Sequence, residues 1–99
     1  MKHATAPALD RLEPMLVKVR RHGGLKEKSR GVFYFKSKAV LHFHEDPAGL
    51  FADFRAKGDW QRFAVNTTDE RTAFLRVVAA FLTASGTHER SRRDLHTRP

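Results

Sequence analysis

Two histidines, His42 and His44, stand one residue apart in a run that reads His-Phe-His-Glu-Asp. Residues two apart on a β-strand point to the same side of the sheet, so both imidazoles would reach one ion or one substrate. Glu45, Asp46 or Asp53 would add an oxygen ligand, because histidine and carboxylate are common ligands of zinc. This run is the part of the chain that comes nearest to a metal signature.

The alternative is that the same two histidines only line the sheet or contact solvent. The His-x-His pair of a jelly-roll metal site is joined by a later glutamate and by a histidine from a distant strand, and this short chain lacks that pattern. The other histidines fall in helix ends or termini: His3, His22, His88 and His96. We therefore predict no metal ion and no cofactor, and retain His42 and His44 as the candidate ligands if a metal binds.

Patterns of catalytic residues are weak. The chain has no cysteine, which excludes a thiol nucleophile, a cysteine-based zinc site and a disulfide framework. No serine stands in a Gly-x-Ser-x-Gly turn, and there is no glycine-rich phosphate loop. Asp53 or Glu45 would form an acid and base pair with His42, but a cross-strand ion pair of Asp53 with Arg62 is the commoner arrangement. We predict no catalytic residue.

A helix precedes the histidine run. Its apolar residues recur at spacings of three and four: Leu9, Leu12, Leu16 and Val19. Either a bent helix starts behind Thr5 and Pro7, or the helix proper begins near Glu13 with Pro14 in its first turn. Gly23 ends it after a basic last turn, and residues 26–30 are predicted to form a charged connection to the sheet.

A second helix follows the sheet. Thr67 and Glu70 stand at capping-box spacing, and the helix ends at Gly86. Its apolar stripe consists of Phe74, Val77, Val78, Phe81 and Leu82. Residues 85–99 carry one large aliphatic side chain among polar and charged ones, so this basic C-terminal tail is predicted to be disordered.

Alternating apolar residues between the helices predict four strands, at 32–36, 39–45, 50–55 and 60–65. The first hairpin leaves its register open: a two-residue loop puts Tyr34 opposite Leu41, whereas a three-residue loop places Phe33 on the same face as Leu41. We prefer the second register because it gathers the large apolar groups on one face. That face then carries Phe33, Phe35, Leu41, Phe43, Leu50 and Phe54.

The last hairpin has a register that supports itself. A four-residue loop at 56–59 pairs Arg55 with Trp60 and Asp53 with Arg62, which are an arginine beside an indole and an opposite-charge pair. The predicted fold is thus α+β: a two-layer sandwich in the order helix, four-stranded antiparallel meander, helix, with one domain at 1–84 and the tail at 85–99.

The charge of the chain favours anionic partners. The formal net charge is +8 and the pI is about 10.6, which is the first sign of nucleic-acid binding, although a basic surface without a dense basic run also serves solubility alone. The sequence has no signal-peptide core and no apolar stretch of membrane-spanning length. We expect a cytoplasmic protein that does not contact a membrane.

The sheet face away from the helices carries the candidate binding residues. They are Tyr34, His42, His44, Phe51, Asp53, Arg55, Trp60 and Arg62. Aromatic and arginine side chains anchor protein interfaces, and on an open sheet they also stack bases and contact phosphate; ordinary aromatic ladders have the same composition. We favour a non-enzymatic binding module for a protein partner or a second copy, then single-stranded nucleic-acid binding, then a His-dependent metal protein or small enzyme.

Two segments carry a resemblance to known proteins. Residues 30–34 (Arg-Gly-Val-Phe-Tyr) and 41–53 (Leu-His-Phe-His-Glu-Asp-Pro-Ala-Gly-Leu-Phe-Ala-Asp) resemble the centre of a family of small conserved bacterial proteins without an assigned function. The resemblance covers about residues 25–82 and implies a bacterial cytoplasmic protein, with no activity attached. The order of elements is also similar to the frataxin-like plan, although no motif of that plan is matched and shared architecture would not transfer function.

Overall fold

The computed structural model describes residues 2–56 and 58–85 of the chain. Its elements are β1 (Lys2–His3), α1 (Ala6–Arg21), β2 (Lys26–Ser29), β3 (Val32–Phe35), β4 (Lys38–Asp46), β5 (Gly49–Arg55), β6 (Trp60–Ala64) and α2 (Thr68–Ser85). The predicted α+β class is confirmed. The predicted helix end at Gly86, and the predicted tail beyond Ser85, lie outside these residues.

The sheet contains more strands than the four predicted. Its antiparallel order is β2-β3-β4-β5-β6, so each of these strands lies beside its neighbour in sequence, and β1 pairs with β4. Since β5 pairs with β4 on one edge, β3 and β1 share the other: β3 pairs with the start of β4, and β1 pairs near its end, with His3 opposite His44. The long strand β4 therefore carries three neighbours.

The two additional strands have no apolar alternation that would reveal them. β2 reads Lys-Glu-Lys-Ser and lies at the sheet edge, where we had predicted a charged connection. Its inward residue is Glu27, whose Oε1 accepts a hydrogen bond from Arg20 Nε of α1 at 2.6 Å. An ion pair thus joins β2 to α1, where most strands would make an apolar contact. A search for apolar periodicity does not detect such a strand.

The first hairpin combines a short turn with a bulge. Phe33 pairs with Leu41, so the preferred register is confirmed at this point, but Tyr34 pairs with Ala39 and Phe35 with Lys38. The register shift leaves Val40 as the extra residue of a β-bulge in β4. Only Lys36 and Ser37 remain in the turn, and the loop is one residue shorter than preferred.

The other two hairpins have regular registers. The predicted pairs Arg55 with Trp60 and Asp53 with Arg62 are confirmed. In the preceding hairpin His42 pairs with Asp53, so one row of side chains runs His42, Asp53, Arg62 across three strands. Cross-strand partners lie on the same side of a sheet, and this row defines the side that we call the outer face.

Both helices contribute to one hydrophobic core with the opposite side of the sheet. The six strand residues predicted to face the helices belong to this core or pack against it: Phe33, Phe35, Leu41, Phe43, Leu50 and Phe54. The rings of Phe54 and Phe74 meet edge to face at a centroid distance of 5.9 Å, and Leu12 and Leu16 of α1 are fully buried. The core therefore fixes which strand residues remain on the outer face.

The start of α1, the glycine that ends it and the cap of α2 agree with predictions from the sequence. α1 contains Pro14 and starts at Ala6, so the earlier of the two predicted starts is correct. Gly23 follows its C-cap with a φ of 77°, a conformation that favours glycine. The predicted capping box of α2 is present, since the backbone N–H of Glu70 donates to Thr67 Oγ1 at 3.1 Å and Glu70 Oε1 accepts from the N–H of Thr67. Neither of the two helices has the length and apolar character needed to cross a membrane.

Candidate functional site

A buried carboxylate lies at the centre of the outer face. Asp53 is only 7% exposed, and it is the one buried charged residue of the described part of the chain. Arg62 binds it in a bidentate manner, with Nε to Oδ1 at 2.7 Å and Nη2 to Oδ2 at 2.8 Å. The Arg62 guanidinium holds the pKa of Asp53 below its usual value, so this carboxyl is ionised at neutral pH.

Three histidine rings meet beside this carboxylate. Nε2 of His44 lies 2.7 Å from Nδ1 of His42 and 3.1 Å from Oδ2 of Asp53. The third ring, His3 of β1, has its centroid 4.9 Å from that of His44 and 5.5 Å from that of His42. One ring nitrogen from each of the three histidines falls within 4.8 Å of the others. We call His3, His42 and His44 the histidine cluster.

The chain start is held in place by the acidic residue that follows the histidine run. Glu45 Oε1 accepts hydrogen bonds from the backbone N–H of Thr5 and, at 2.7 Å, from its hydroxyl. The N–H of Ala4 also donates to the carbonyl of Phe43 at 3.0 Å. Glu45, which the sequence offered as a metal ligand or a base, thus helps to position β1 and with it His3.

Burial and neighbouring charge favour the neutral form of His42. Desolvation lowers the pKa of His42 below its ordinary value, and the adjacent His44 lowers it further. Three rings in contact would repel one another if all were protonated. The neutral form is the one that donates a lone pair to a metal ion or accepts a proton.

The exposed indole of the face is fixed by two ring contacts. Trp60 is 40% exposed, and among the described residues it is the one large apolar side chain that is exposed to solvent. The Arg55 guanidinium carbon lies 4.6 Å from its centroid, and the His42 ring centroid lies 4.5 Å from it. Because His42 is on β4 and Trp60 on β6, the two rings meet across the intervening strand. Arg55 Nη2 also donates to the carbonyl of Ala39 at 2.6 Å.

The remaining predicted residues lie further along the same face. Phe51 is half-buried and pairs with His44. Tyr34 lies near the other end, where Lys28 Nζ is 5.0 Å from its ring centroid and Lys26 is its cross-strand partner. Six of the eight predicted residues are therefore brought together by direct contacts: His42, His44, Asp53, Arg55, Trp60 and Arg62.

Sequence reasoning missed three residues of the face. It placed His3 at a terminus, and it took Lys26 and Lys28 as part of a connection. A two-residue strand has no period to detect, so His3 becomes visible only once its pairing with β4 is known. The alternation in Lys-Glu-Lys was a usable signal, because it turns Glu27 inward and the two lysines outward.

A cavity elsewhere does not share this chemistry. It measures about 360 Å³, lies in the groove between α1 and α2, and is lined by Lys18, Arg21, Leu75, Arg76 and Ala79 among others. No residue of the histidine cluster borders it. The outer face is open surface, which suits a macromolecule or a small ion better than an enclosed metabolite.

The chemistry available on the face is that of ligation and contact. The described residues of the outer face offer imidazoles, one carboxylate, guanidinium groups and an indole in contact with one another. Imidazole nitrogens are ligands for zinc, copper, nickel and iron. Trp and Arg are the side chains that most often carry the energy of protein interfaces.

Comparison with known proteins adds no assignment. No protein-family model, no curated protein and no solved structure matches this chain. The resemblance to small bacterial proteins stays an expectation from sequence, and the function is argued from the outer face alone.

Proposed function

We propose that this protein is a non-enzymatic binding domain that takes up an acidic protein partner on the outer face of its sheet. The observation that carries the proposal is Trp60, which is 40% exposed yet held by Arg55 and His42. A side chain that is already ordered loses little conformational entropy on binding. An exposed, preordered indole beside an arginine has the properties of an interface hot spot.

Charge selects the kind of partner. The outer face carries Lys26, Lys28, Arg55 and Arg62 against Asp46 and the buried Asp53. The whole chain has a formal charge of +8. Two copies of this chain therefore repel each other, whereas an acidic surface is attracted and steered toward the face. These charges favour a different, acidic protein over self-association.

The proposal includes an arrangement of layers and a compartment. Both helices cover one side of the sheet, as a two-layer sandwich, and leave the outer face open for the partner. A chain without cysteine suits a reducing compartment, and we place the protein in the cytoplasm.

Single-stranded nucleic acid is the second candidate. Lys28 over the half-buried ring of Tyr34 favours it, since a basic group beside an aromatic ring is a phosphate and base contact. Two features oppose it. The indole of Trp60 is already contacted by Arg55 and His42, which reduces the ring surface left for a base, and the Arg62 guanidinium is engaged by Asp53.

Photo-crosslinking finds the partner and a purified complex tests it. A benzophenone side chain replaces Tyr34 on the outer face, and the matched control carries it in place of Arg76 on α2. Proteins that crosslink in the native host to the first position but not to the second are then identified. The affinity of the purified partner is then measured. Trp60→Ala should weaken it at least tenfold, because hot-spot truncations cost about 2 kcal/mol or more, and Arg76→Ala should not change it.

Two results decide against the acidic partner. Equal affinity for wild type and Trp60→Ala would remove the outer face as the interface. Tight binding to a mixed-sequence single-stranded oligonucleotide, falling steeply with salt and lost on Trp60→Ala, would transfer the function to the second candidate. The proposal also predicts that the protein sediments as a monomer at high concentration, because two copies of this basic chain repel each other.

A further inference from the structure

The histidine cluster assembles from two distant parts of the chain. His42 and His44 come from β4, whereas His3 comes from a two-residue strand that is held against β4 by backbone pairing and by Glu45. Packing alone gives little reason to gather three imidazoles, which are polar and repel one another when protonated. We propose that His3, His42 and His44 bind one divalent transition-metal ion. This inference does not depend on the protein partner.

The distances are close to those of a metal site. Zinc binds imidazole nitrogen at about 2.0–2.1 Å with tetrahedral geometry, which places ligand nitrogens about 3.3 Å apart. The three candidate nitrogens lie within 4.8 Å of one another, and the His42–His44 pair is at 2.7 Å. Shifts of the ring nitrogens by up to about 1.5 Å would bring all three to these separations. His3 is exposed and can make the larger movement.

The donor set selects the class of ion. Three imidazole nitrogens suit zinc, cobalt, nickel, copper or ferrous iron, whereas magnesium and calcium prefer oxygen ligands. The Asp53 carboxylate, 3.1 Å from Nε2 of His44, adds a negative charge beside the ion, and Arg62 keeps that carboxylate in place.

Three protein ligands leave a further coordination position. In zinc proteins a water or an incoming ligand fills the fourth place. The cluster opens on the same face as Trp60, whose ring contacts His42. Trp60 is the only tryptophan of the chain, so its fluorescence reports directly on this site.

The test uses the tag-free full-length chain and two ions. Co²⁺ binding is followed by its visible d–d absorption and by Trp60 fluorescence, and Zn²⁺ binding by calorimetry. Wild type should bind one ion per chain, with a tetrahedral cobalt spectrum and a higher Tm in Zn²⁺.

The variants place the ion. His3→Gln, His42→Gln and His44→Gln should each weaken Zn²⁺ binding at least tenfold and abolish the tetrahedral cobalt band. His22→Gln is the matched control, because His22 is an exposed C-cap of α1, and it should bind as wild type does. Circular dichroism and the metal-free Tm establish that each variant is folded, and His3→Gln changes an exposed side chain of β1 while the sequence of β4 stays the same.

Two outcomes overturn the inference. The first is a wild-type chain that binds neither ion, which makes the cluster a structural stack of rings. The second is binding that persists unchanged in all three cluster variants, which puts the ion elsewhere in the chain. Neither outcome bears on the partner affinity of Trp60→Ala, so the two proposals fail separately.

Discussion

The Asp53–Arg62 ion pair should matter more for the stability of the fold than an ordinary surface ion pair does. Asp53 is buried, and its two oxygens are held by Nε and Nη2 of Arg62, while His44 approaches one of them. Exposed ion pairs contribute little because solvent screens them. Here the Arg62 side chain is 48% exposed, but the carboxylate is out of solvent and depends on its guanidinium partner.

Loss of that guanidinium should destabilise the protein. Arg62→Ala leaves the Asp53 charge buried without its bidentate partner, and we expect a fall in the urea midpoint several times larger than that of Arg76→Ala, an exposed arginine of α2. Adding Asp53→Asn to Arg62→Ala should recover part of the loss, because it removes the stranded charge. Equal midpoints for Arg62→Ala and Arg76→Ala would contradict this account.

The pairs on the outer face could be predicted because a hairpin encodes them locally. Once the loop at 56–59 is recognised, counting back from it puts Asp53 opposite Arg62 and Arg55 opposite Trp60, as observed. His3 could not be placed in this way. Its position depends on contacts with Phe43, His44 and Glu45 forty residues away, and no short-range pattern contains that information.

The first hairpin makes its turn without a glycine. Lys36 has a φ of 60°, and it is the non-glycine residue of the described backbone with a positive φ. This left-handed conformation costs a residue with a Cβ on the order of 1 kcal/mol. The loop length was hard to predict because the bulge at Val40 absorbs the offset between the short turn and the register at Phe33.

Glycine at this turn should stabilise the hairpin. Lys36→Gly removes the steric cost of the positive φ, but it increases the freedom of the unfolded chain by about 0.5–1 kcal/mol, so we expect a net gain of at most about 0.5 kcal/mol in the free energy of unfolding. Ser37→Gly is the control, since Ser37 does not have a positive φ and only the unfolded chain gains freedom. Chemical denaturation of both variants measures the difference. A gain for Ser37→Gly as large as for Lys36→Gly would show that the backbone conformation is not the cause.

The strands β3 to β6 and both helices follow from the sequence, whereas the strands β1 and β2 do not. β4 and β5 carry apolar residues at alternate positions because one side of each packs in the core. β2 instead attaches through an ionic network in which Arg20 binds Glu13 and Glu27, and the N–H of Gly31 donates to Glu27. Such a network has no hydrophobic period, and its partners are known only after the chain has folded.

This network should make the edge of the fold acid-sensitive. The hydrogen bonds of Arg20 lower the pKa values of Glu13 and Glu27 from 4.5. A carboxyl whose pKa is lower in the folded state stabilises that state above its unfolded pKa, and this contribution is lost as pH falls through the folded value. Protonation also raises a net charge that is already +8, which adds repulsion.

Glu27→Gln tests this linkage. Because the amide does not titrate, the variant should be less stable than wild type at pH 7 by up to about 1 kcal/mol, in the range of partly exposed ion pairs. The difference should shrink below pH 4.5 and vanish once Glu27 of the wild type is protonated, as measured by urea unfolding between pH 7 and pH 3.

A double-mutant cycle with Arg20→Gln should show the same coupling at pH 7 and none in acid. A difference that stays constant over this pH range would mean that the Arg20–Glu27 bond does not stabilise the attachment of β2 to α1.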